Sequence, residues 1–123
     1  ILLVEDNGLN REIAVEILNE YGFLVDTVEN GAEAVEKVKN STPGNYDLVL
    51  MDVQMPVMNG YEATKKIRAL DNPALAGITI LAMTANAFDE DRKKALECGM
   101  DGFLSKPIVM EELITALHDN LLD

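Results

Sequence analysis

Five short apolar runs, separated by stretches with helical spacing, limit what this chain can fold into more than any other feature. The runs are Ile1 to Val4, Leu24 to Val28, Asp47 to Met51, Ile78 to Met83 and Gly102 to Leu104. The first, third and fourth are almost unbroken in Val, Ile, Leu and Met, as in parallel strands covered on both faces. The second alternates, Val25 and Thr27 against Asp26 and Val28, and belongs nearer an edge. Between the runs, Leu9, Ile13, Ile17 and Tyr21 step by four up to a stop at Gly22. Ala34, Val35 and Val38 form the face of a second helix, which ends before Pro43-Gly44. Asn59 caps a third helix through Leu70, with Ile67 inward, and Asn72-Pro73 closes it. Phe88, Ala95 and Leu96 mark a fourth helix ending at Gly99, and Leu113, Ile114, Leu117 and Leu121 mark a fifth.

A strand–helix alternation of this kind returns through right-handed crossovers and gives an α/β protein with a parallel sheet covered by helices on both faces. Five βα units suit a doubly wound five-stranded parallel sheet of order 2-1-3-4-5 with five helices, the flavodoxin-like arrangement. That order is chosen by analogy, since the pattern alone allows other α/β orders. The 123 residues, 48% of them hydrophobic, suffice for one core, so residues 1–123 read as a single domain. Opening on Ile1, they read as a piece excised from a longer protein.

Acids outnumber bases 22 to 10, a formal net charge of −12, and no basic run offsets them. Such a domain is not expected to bind nucleic acid or an anionic membrane directly. No apolar stretch approaches the ~18 residues needed to span a bilayer, and a signal-peptide pattern is missing. A single Cys cannot form an internal disulfide, which is compatible with a cytoplasmic location, whether or not a parent protein is anchored in a membrane.

The polar residues that follow the inner runs carry the chemistry. Glu5-Asp6 follow the first, Asp52 the third, Thr84 the fourth and Ser105-Lys106-Pro107 the fifth. In a parallel sheet these are all carboxyl ends, and in the chosen order the first and third strands meet at the switch point where ligands bind. Two carboxylates ~4 Å apart repel by about 4 kcal/mol at an effective dielectric of ~20, so either one is protonated or a cation sits among them. An all-oxygen site favours Mg²⁺ that keeps some of its water. Lys106 and Thr84 would supply a positive charge and a hydrogen-bond donor to a phosphate across that ion. This set of groups suits in-line phosphoryl transfer to an aspartate. Asp52 is the favoured acceptor because it ends the most central strand, while Glu5 and Asp6 are better placed to share a metal.

Each element alone has a plainer explanation: an acid pair after a strand is often a helix cap, and Asp52 before Pro56 and Gly60 is ordinary turn chemistry. Their coincidence at one sheet edge is what favours a functional site. Together, Leu3-Val4-Glu5-Asp6-Asn7, Met51-Asp52-Val53-Gln54-Met55-Pro56-Val57-Met58-Asn59-Gly60, Ala82-Met83-Thr84-Ala85-Asn86 and Gly102-Phe103-Leu104-Ser105-Lys106-Pro107 resemble the receiver domains of two-component response regulators along essentially the whole chain.

The resemblance implies a bacterial phosphorylation-switched signalling domain that accepts a phosphoryl group from a phosphohistidine onto Asp52, rather than an enzyme with a separate substrate. It implies Mg²⁺ held by Glu5, Asp6, Asp52 and the backbone carbonyl of Gln54. Lys106 and Thr84 would contact the phosphoryl group, Phe103 would turn inward behind Thr84, and small Ala85 would leave room for both. Gln54 and Asn86 would tune dephosphorylation. The surface expected to change runs over the fourth helix, fifth strand and fifth helix. Glu5-Asp6-Asn7 leading to Asn10, and Thr84-Ala85-Asn86-Ala87, are most similar to receivers of hybrid sensor histidine kinases. The implied partners are a histidine kinase or a histidine phosphotransfer domain docking beside the first helix, with Leu9, Asn10 and Ile13 as contacts. The domain itself would be a monomer or a phosphorylation-dependent dimer.

Two rival classes fit less well. A Mg²⁺-dependent phosphatase would want a general-acid aspartate where Gln54 stands. A flavin-binding module would want a Ser/Thr-rich phosphate loop after the first strand, and a receiver kept only for contacts would normally have lost an acid or the Lys. Glu29, Asn30 and Gly31 are expected to form a turn too far out to join the site. His118 is expected on the surface, and Cys98 in packing.

Overall fold

The computed structural model describes residues 1–42, 44–53, 58–84, 89–105 and 111–115, with the side chains of Thr84, Phe103, Ser105 and residues 89–92 outside that description. In chain order the elements are β1 (Leu2–Val4), α1 (Gly8–Glu20), β2 (Asp26–Val28), α2 (Gly31–Lys39), β3 (Leu48–Asp52), α3 (Gly60–Arg68), α4 (Pro73–Ala76), β4 (Thr79–Thr84), α5 (Asp89–Cys98) and β5 (Gly102–Ser105). A helical segment follows over 111–115. The strands form one parallel sheet, as expected from the alternation, in the order β2-β1-β3-β4-β5 that was chosen by analogy, with the alternating β2 at an edge.

Strand alternation divides the core into two layers. Leu2, Val4, Val49, Met51, Ile80 and Ala82 face α2, α3 and α5, which contribute Ala34, Val38, Ala63, Ile67, Ala95 and Cys98. Leu3, Leu48, Leu50, Leu81, Met83 and Leu104 face the other way, against Ala14 and Leu18 of α1 and Leu113. Every residue of β1 and β3 is buried, which explains their unbroken apolar runs. Each fully buried Leu or Ile in these layers contributes about 1.5–3 kcal/mol. Cys98 packs as expected, and burial pushes its thiol pKa up, away from the thiolate that reactivity requires.

Asparagines start the helices. The side chains of Asn7, Asn30, Asn59 and Asn72 accept from the backbone N–H groups of Asn10, Glu33, Glu62 and Ala74 at 2.9–3.0 Å. Each such cap contributes about 1 kcal/mol. The last of them corrects an expectation. Asn72-Pro73 does not simply close the third helix, which already ends at Arg68; it opens the separate short α4, with Pro73 at a position where its missing N–H costs nothing. The described residues therefore contain six helical segments rather than five.

Of the stripe that steps by four along α1, Leu9 and Ile13, expected as partner contacts, lie open to solvent, and Tyr21 does too. They are exposed by 67%, 47% and 54%, and the buried side of α1 is Ala14 and Leu18. A step of four residues advances about 40° around a helix, so a stripe built on it drifts off the core side. Leu96 and Ile114 are exposed while their neighbours Ala95 and Leu113 are fully buried. Phe88, Leu117, His118 and Leu121 lie outside the described residues.

Candidate functional site

The strand register brings the first two acids together. β1 and β3 pair Leu2 with Val49, Leu3 with Leu50 and Val4 with Met51, so one step further Glu5 stands beside Asp52. Leu3 and Leu50 share the layer against α1. By the same alternation, two residues on, Glu5 and Asp52 leave the sheet on that side, from strands about 4.8 Å apart. Asp6 turns toward them at the start of the loop to α1. Carboxylate oxygens of Glu5, Asp6 and Asp52 all lie within 4.8 Å of one another. Glu5 and Asp52 are each only 3% exposed, whereas Asp6 is open to solvent. No buried side-chain nitrogen or oxygen among the described residues lacks a hydrogen-bond partner.

The backbone around the acids is fixed from several directions. Glu5 N–H donates to Val28 O at 3.2 Å, extending the β1–β2 ladder past the last paired residues. Glu5 Oε1 accepts from Asn7 N–H at 3.2 Å. Behind Asp52, Val53 N–H donates to Met83 O, and Gly60 N–H donates back to Val53 O, both at 3.1 Å. Gly31 N–H donates to Met58 O at 3.1 Å, so the turn after β2 is tied to the backbone just before α3. Glu29 stays outside the carboxylate cluster, as expected, but its Oε1 lies 3.5 Å from Arg11 Nη2.

Gly60 allows this closure. A Cβ there would run into the carbonyl oxygen of Asp52 and come within 3.0 Å of Met51 Cγ and Val53 Cα. Alanine would favour the helix by up to about 1 kcal/mol. The obstacles include backbone that cannot swing aside, and overpacking of this kind costs about 1–3 kcal/mol. Gly60→Ala is therefore expected to lose about 1–2 kcal/mol of unfolding free energy in a urea titration, and an equal or higher midpoint would contradict the close approach.

Thr84 ends β4 in register with Ser105 of β5, one step beyond Met83, which pairs with Asp52. The backbones of Asp52, Thr84 and Ser105 thus reach one sheet edge, and Phe103 pairs with Ala82 within the sheet. Lys106, Gln54, Ala85 and Asn86 lie outside the described residues. Leu9, Asn10 and Ile13 are all exposed near the start of α1. The sequence reading missed Arg11, whose Nη1 donates to Glu5 O at 3.0 Å. Its contact is with a main-chain carbonyl, which no side-chain pattern advertises.

The acids fit a hard divalent cation: every donor is oxygen, two are withdrawn from water and the third is on the rim. They are also suited to gathering oxygens of a phosphate around such an ion beside a carboxylate nucleophile.

Known proteins are similar to nearly the whole chain. The model of the response regulator receiver domain family matches residues 1–118. The chain is 44% identical, over 93% of its length, to a stretch of hybrid signal transduction histidine kinase B of Dictyostelium discoideum, of which it covers 6%. It is 38% identical, over 95% of its length, to a stretch of histidine kinase 2 of Arabidopsis thaliana, of which it covers 11%. The chain thus spans a small part of these relatives, and because they are eukaryotic, the expected bacterial source is not supported. Among solved structures, a receiver domain of a Pseudomonas aeruginosa sensor histidine kinase, with magnesium coordinated in its active-site cleft, matches with a TM-score of 0.86 and 38% identity, covering 99% of this chain and 96% of that one. The receiver domain of a Saccharomyces cerevisiae response regulator, solved with a histidine phosphotransfer protein, matches with a TM-score of 0.85 and 32% identity over 97% of this chain and 86% of that one.

Proposed function

Since this chain belongs to the response regulator receiver domain family, and is the receiver of a two-component or phosphorelay system, we propose that Asp52 is its phosphoacceptor. The observation that carries the assignment is the meeting of Glu5, Asp6 and Asp52 within 4.8 Å at the carboxyl ends of neighbouring strands. Asp52 ends the central strand β3, and of the three acids it and Glu5 are the two that are buried.

In the proposed reaction an Asp52 carboxylate oxygen attacks the phosphorus of a phosphohistidine; the new O–P bond forms as the P–N bond breaks, and the histidine is left free on the partner. Glu5, Asp6, Asp52 and the backbone carbonyl of Gln54 would hold Mg²⁺. That ion supplies charge neutralisation to the phosphoryl oxygens. Lys106 and Thr84 contact the transferred group, with Ala85 leaving space and Phe103 following Thr84. Gln54 and Asn86 set how readily water removes the phosphoryl group in slow autodephosphorylation.

Phosphorylation adds about −1.5 to −2 charge and three acceptor oxygens to the pocket. Bonds from Thr84 and Lys106 to those oxygens bias an existing equilibrium of the surface over α5, β5 and the helix that follows. Leu96 of α5 and Ile114 are exposed apolar side chains in these elements. The phosphodonor is a histidine kinase or, by likeness to the yeast complex, a histidine phosphotransfer domain seated on Leu9, Asn10 and Ile13, where α1 presents apolar side chains to solvent. The parent protein is proposed to be a hybrid histidine kinase acting at the cytoplasmic side.

Intact mass after incubation with acetyl phosphate tests the assignment. One added phosphoryl group is expected with Mg²⁺ present, with almost none without it and none on Asp52→Asn. Undiminished labelling of Asp52→Asn would move the acceptor elsewhere. Because a short-lived adduct escapes a mass measurement, beryllofluoride binding is run alongside, and its absence together with absent labelling would reject the phosphoacceptor role.

A further inference from the structure

We infer that Arg11 is a positioning residue for the divalent-cation site: its guanidinium clasps the exits of β1 and β2 together and holds the Glu5–Asp6 backbone where both carboxylates reach Asp52. The inference rests on reading the acidic pocket as a Mg²⁺ site.

Asp6 is the reason a clasp is needed. Its side chain is exposed and makes no hydrogen bond or ion pair among the described residues, yet its carboxylate lies within 4.8 Å of those of Glu5 and Asp52. Where it sits is therefore set by the backbone on either side. On the far side, Asn7 caps α1 through the N–H of Asn10 at 3.0 Å. On the near side, Glu5 is gripped twice through its main chain. Its N–H reaches Val28 O at 3.2 Å, and its carbonyl accepts from Arg11 Nη1 at 3.0 Å.

Arg11 reaches that carbonyl because helical side chains lean toward the amino end, here from the first turn of α1 back over the β1 exit. Its Nη2 lies 3.5 Å from Oε1 of Glu29, the residue that follows Val28. One planar fork thus spans both strands that frame the dipeptide. A lysine has a single ammonium at that point and cannot offer two donors fixed in one plane. The two contacts are not equal. Glu29 is 66% exposed and its ion pair is screened by water, whereas Arg11 is only 22% exposed. The bond to the Glu5 carbonyl therefore does most of the positioning.

Residues that orient metal ligands typically change metal affinity by about 10–100-fold when removed. Calorimetric titration of the unphosphorylated protein with Mg²⁺ at fixed ionic strength tests this, with metal-free melting recorded beside it. Arg11→Ala is expected to raise the Kd about tenfold, at the lower end of that range because its contact is with backbone. Arg11→Lys is expected to raise it several-fold despite keeping the charge, and Glu29→Gln about twofold at most, consistent with a screened surface pair. If Arg11→Ala does not fold, Arg11→Lys carries the same test. An unchanged Kd in the foldable Arg11 variants, even with a lowered melting point, would make Arg11 merely structural and overturn the proposal. A tighter Kd would overturn it too, by showing that the guanidinium acts as a repelling charge. Failure of the unaltered protein to bind Mg²⁺ at all would reject the site itself, which the ratio between variant and unaltered protein does not address.

Discussion

Replacing Glu5 by Gln and Asp6 by Asn together is expected to weaken Mg²⁺ binding about a thousandfold while leaving the fold in place. Even in water, a unit charge ~4 Å from a dication is worth about 2 kcal/mol, so two carboxylates contribute about 4 kcal/mol. At about 1.4 kcal/mol per factor of ten, that is roughly three decades of affinity. Burial of Glu5, only 3% exposed, raises its share above the aqueous value. Both replacements keep shape, and a glutamine in place of Glu5 would still offer an oxygen to the N–H of Asn7, which Glu5 now accepts at 3.2 Å. The metal-free variant should therefore melt close to the unaltered protein, having also lost two of three crowded negative charges. Calorimetry with Mg²⁺ checks the affinity, and retained tight binding would refute the acidic pocket as an ion site. A variant that binds weakly but also melts far lower would mean that the acids hold the fold, not the ion.

The parts of this molecule that the sequence made legible are those governed by short periodicities. Unbroken apolar runs mark β1 and β3 because both faces of those strands are covered. Once neighbours are assigned, alternation alone places Glu5 beside Asp52. Asn59, read as a helix cap, accepts from the N–H of Glu62, whereas Asn30, read only as part of a turn, caps α2 through the N–H of Glu33. What escaped has longer reach or two local meanings. Asn72-Pro73 reads equally as the end of one helix and the start of another, and only the chain's path distinguishes them. The stripe from Leu9 to Tyr21 is apolar, but the core takes the smaller Ala14 and the single Leu18 instead, leaving the bulkier residues outside. An apolar side chain on a helix is thus not by itself evidence of burial, and Leu96 and Ile114 repeat the lesson. Arg11 and Arg68 both bond main-chain carbonyls distant in sequence or across a turn, and such contacts depend on tertiary placement rather than on pattern.

Arg68→Ala is expected to be the most destabilising single replacement away from the core, costing about 3 kcal/mol. Arg68 stands at the last turn of α3, where three connections at the amino ends of β4 and β5 converge. Its Nε donates to Gly99 O at 2.9 Å, Nη1 to Ala76 O and Ile78 O at 2.6 Å each, and Nη2 to Asp101 Oδ2 at 2.9 Å. The same Asp101 oxygen accepts from Ile80 N–H at 2.9 Å, which couples the guanidinium to the start of β4. Gly99 belongs to this arrangement: its φ of 108° suits glycine, and a Cβ would lie 3.0 Å from Arg68 Cγ. Hydrogen bonds from a charged donor contribute about 1.5–3 kcal/mol each when isolated. Four cannot simply be added, because the side chains of Arg68 and Asp101 are 23% and 41% exposed, so water replaces part of what is lost. About 3 kcal/mol is a large fraction of the roughly 5–15 kcal/mol that keeps a domain folded. It should lower the melting point by about 10 °C. Arg68→Lys should recover less than half, since an ammonium cannot address acceptors on three sides at once. The arginine lies at the sheet edge opposite Glu5 and Asp52, so Mg²⁺ affinity should be unchanged in either variant. A urea titration that loses under about 1 kcal/mol would show that the four contacts are exchanged for water at little cost, and a large fall in Mg²⁺ affinity would show that the two edges of the sheet are coupled.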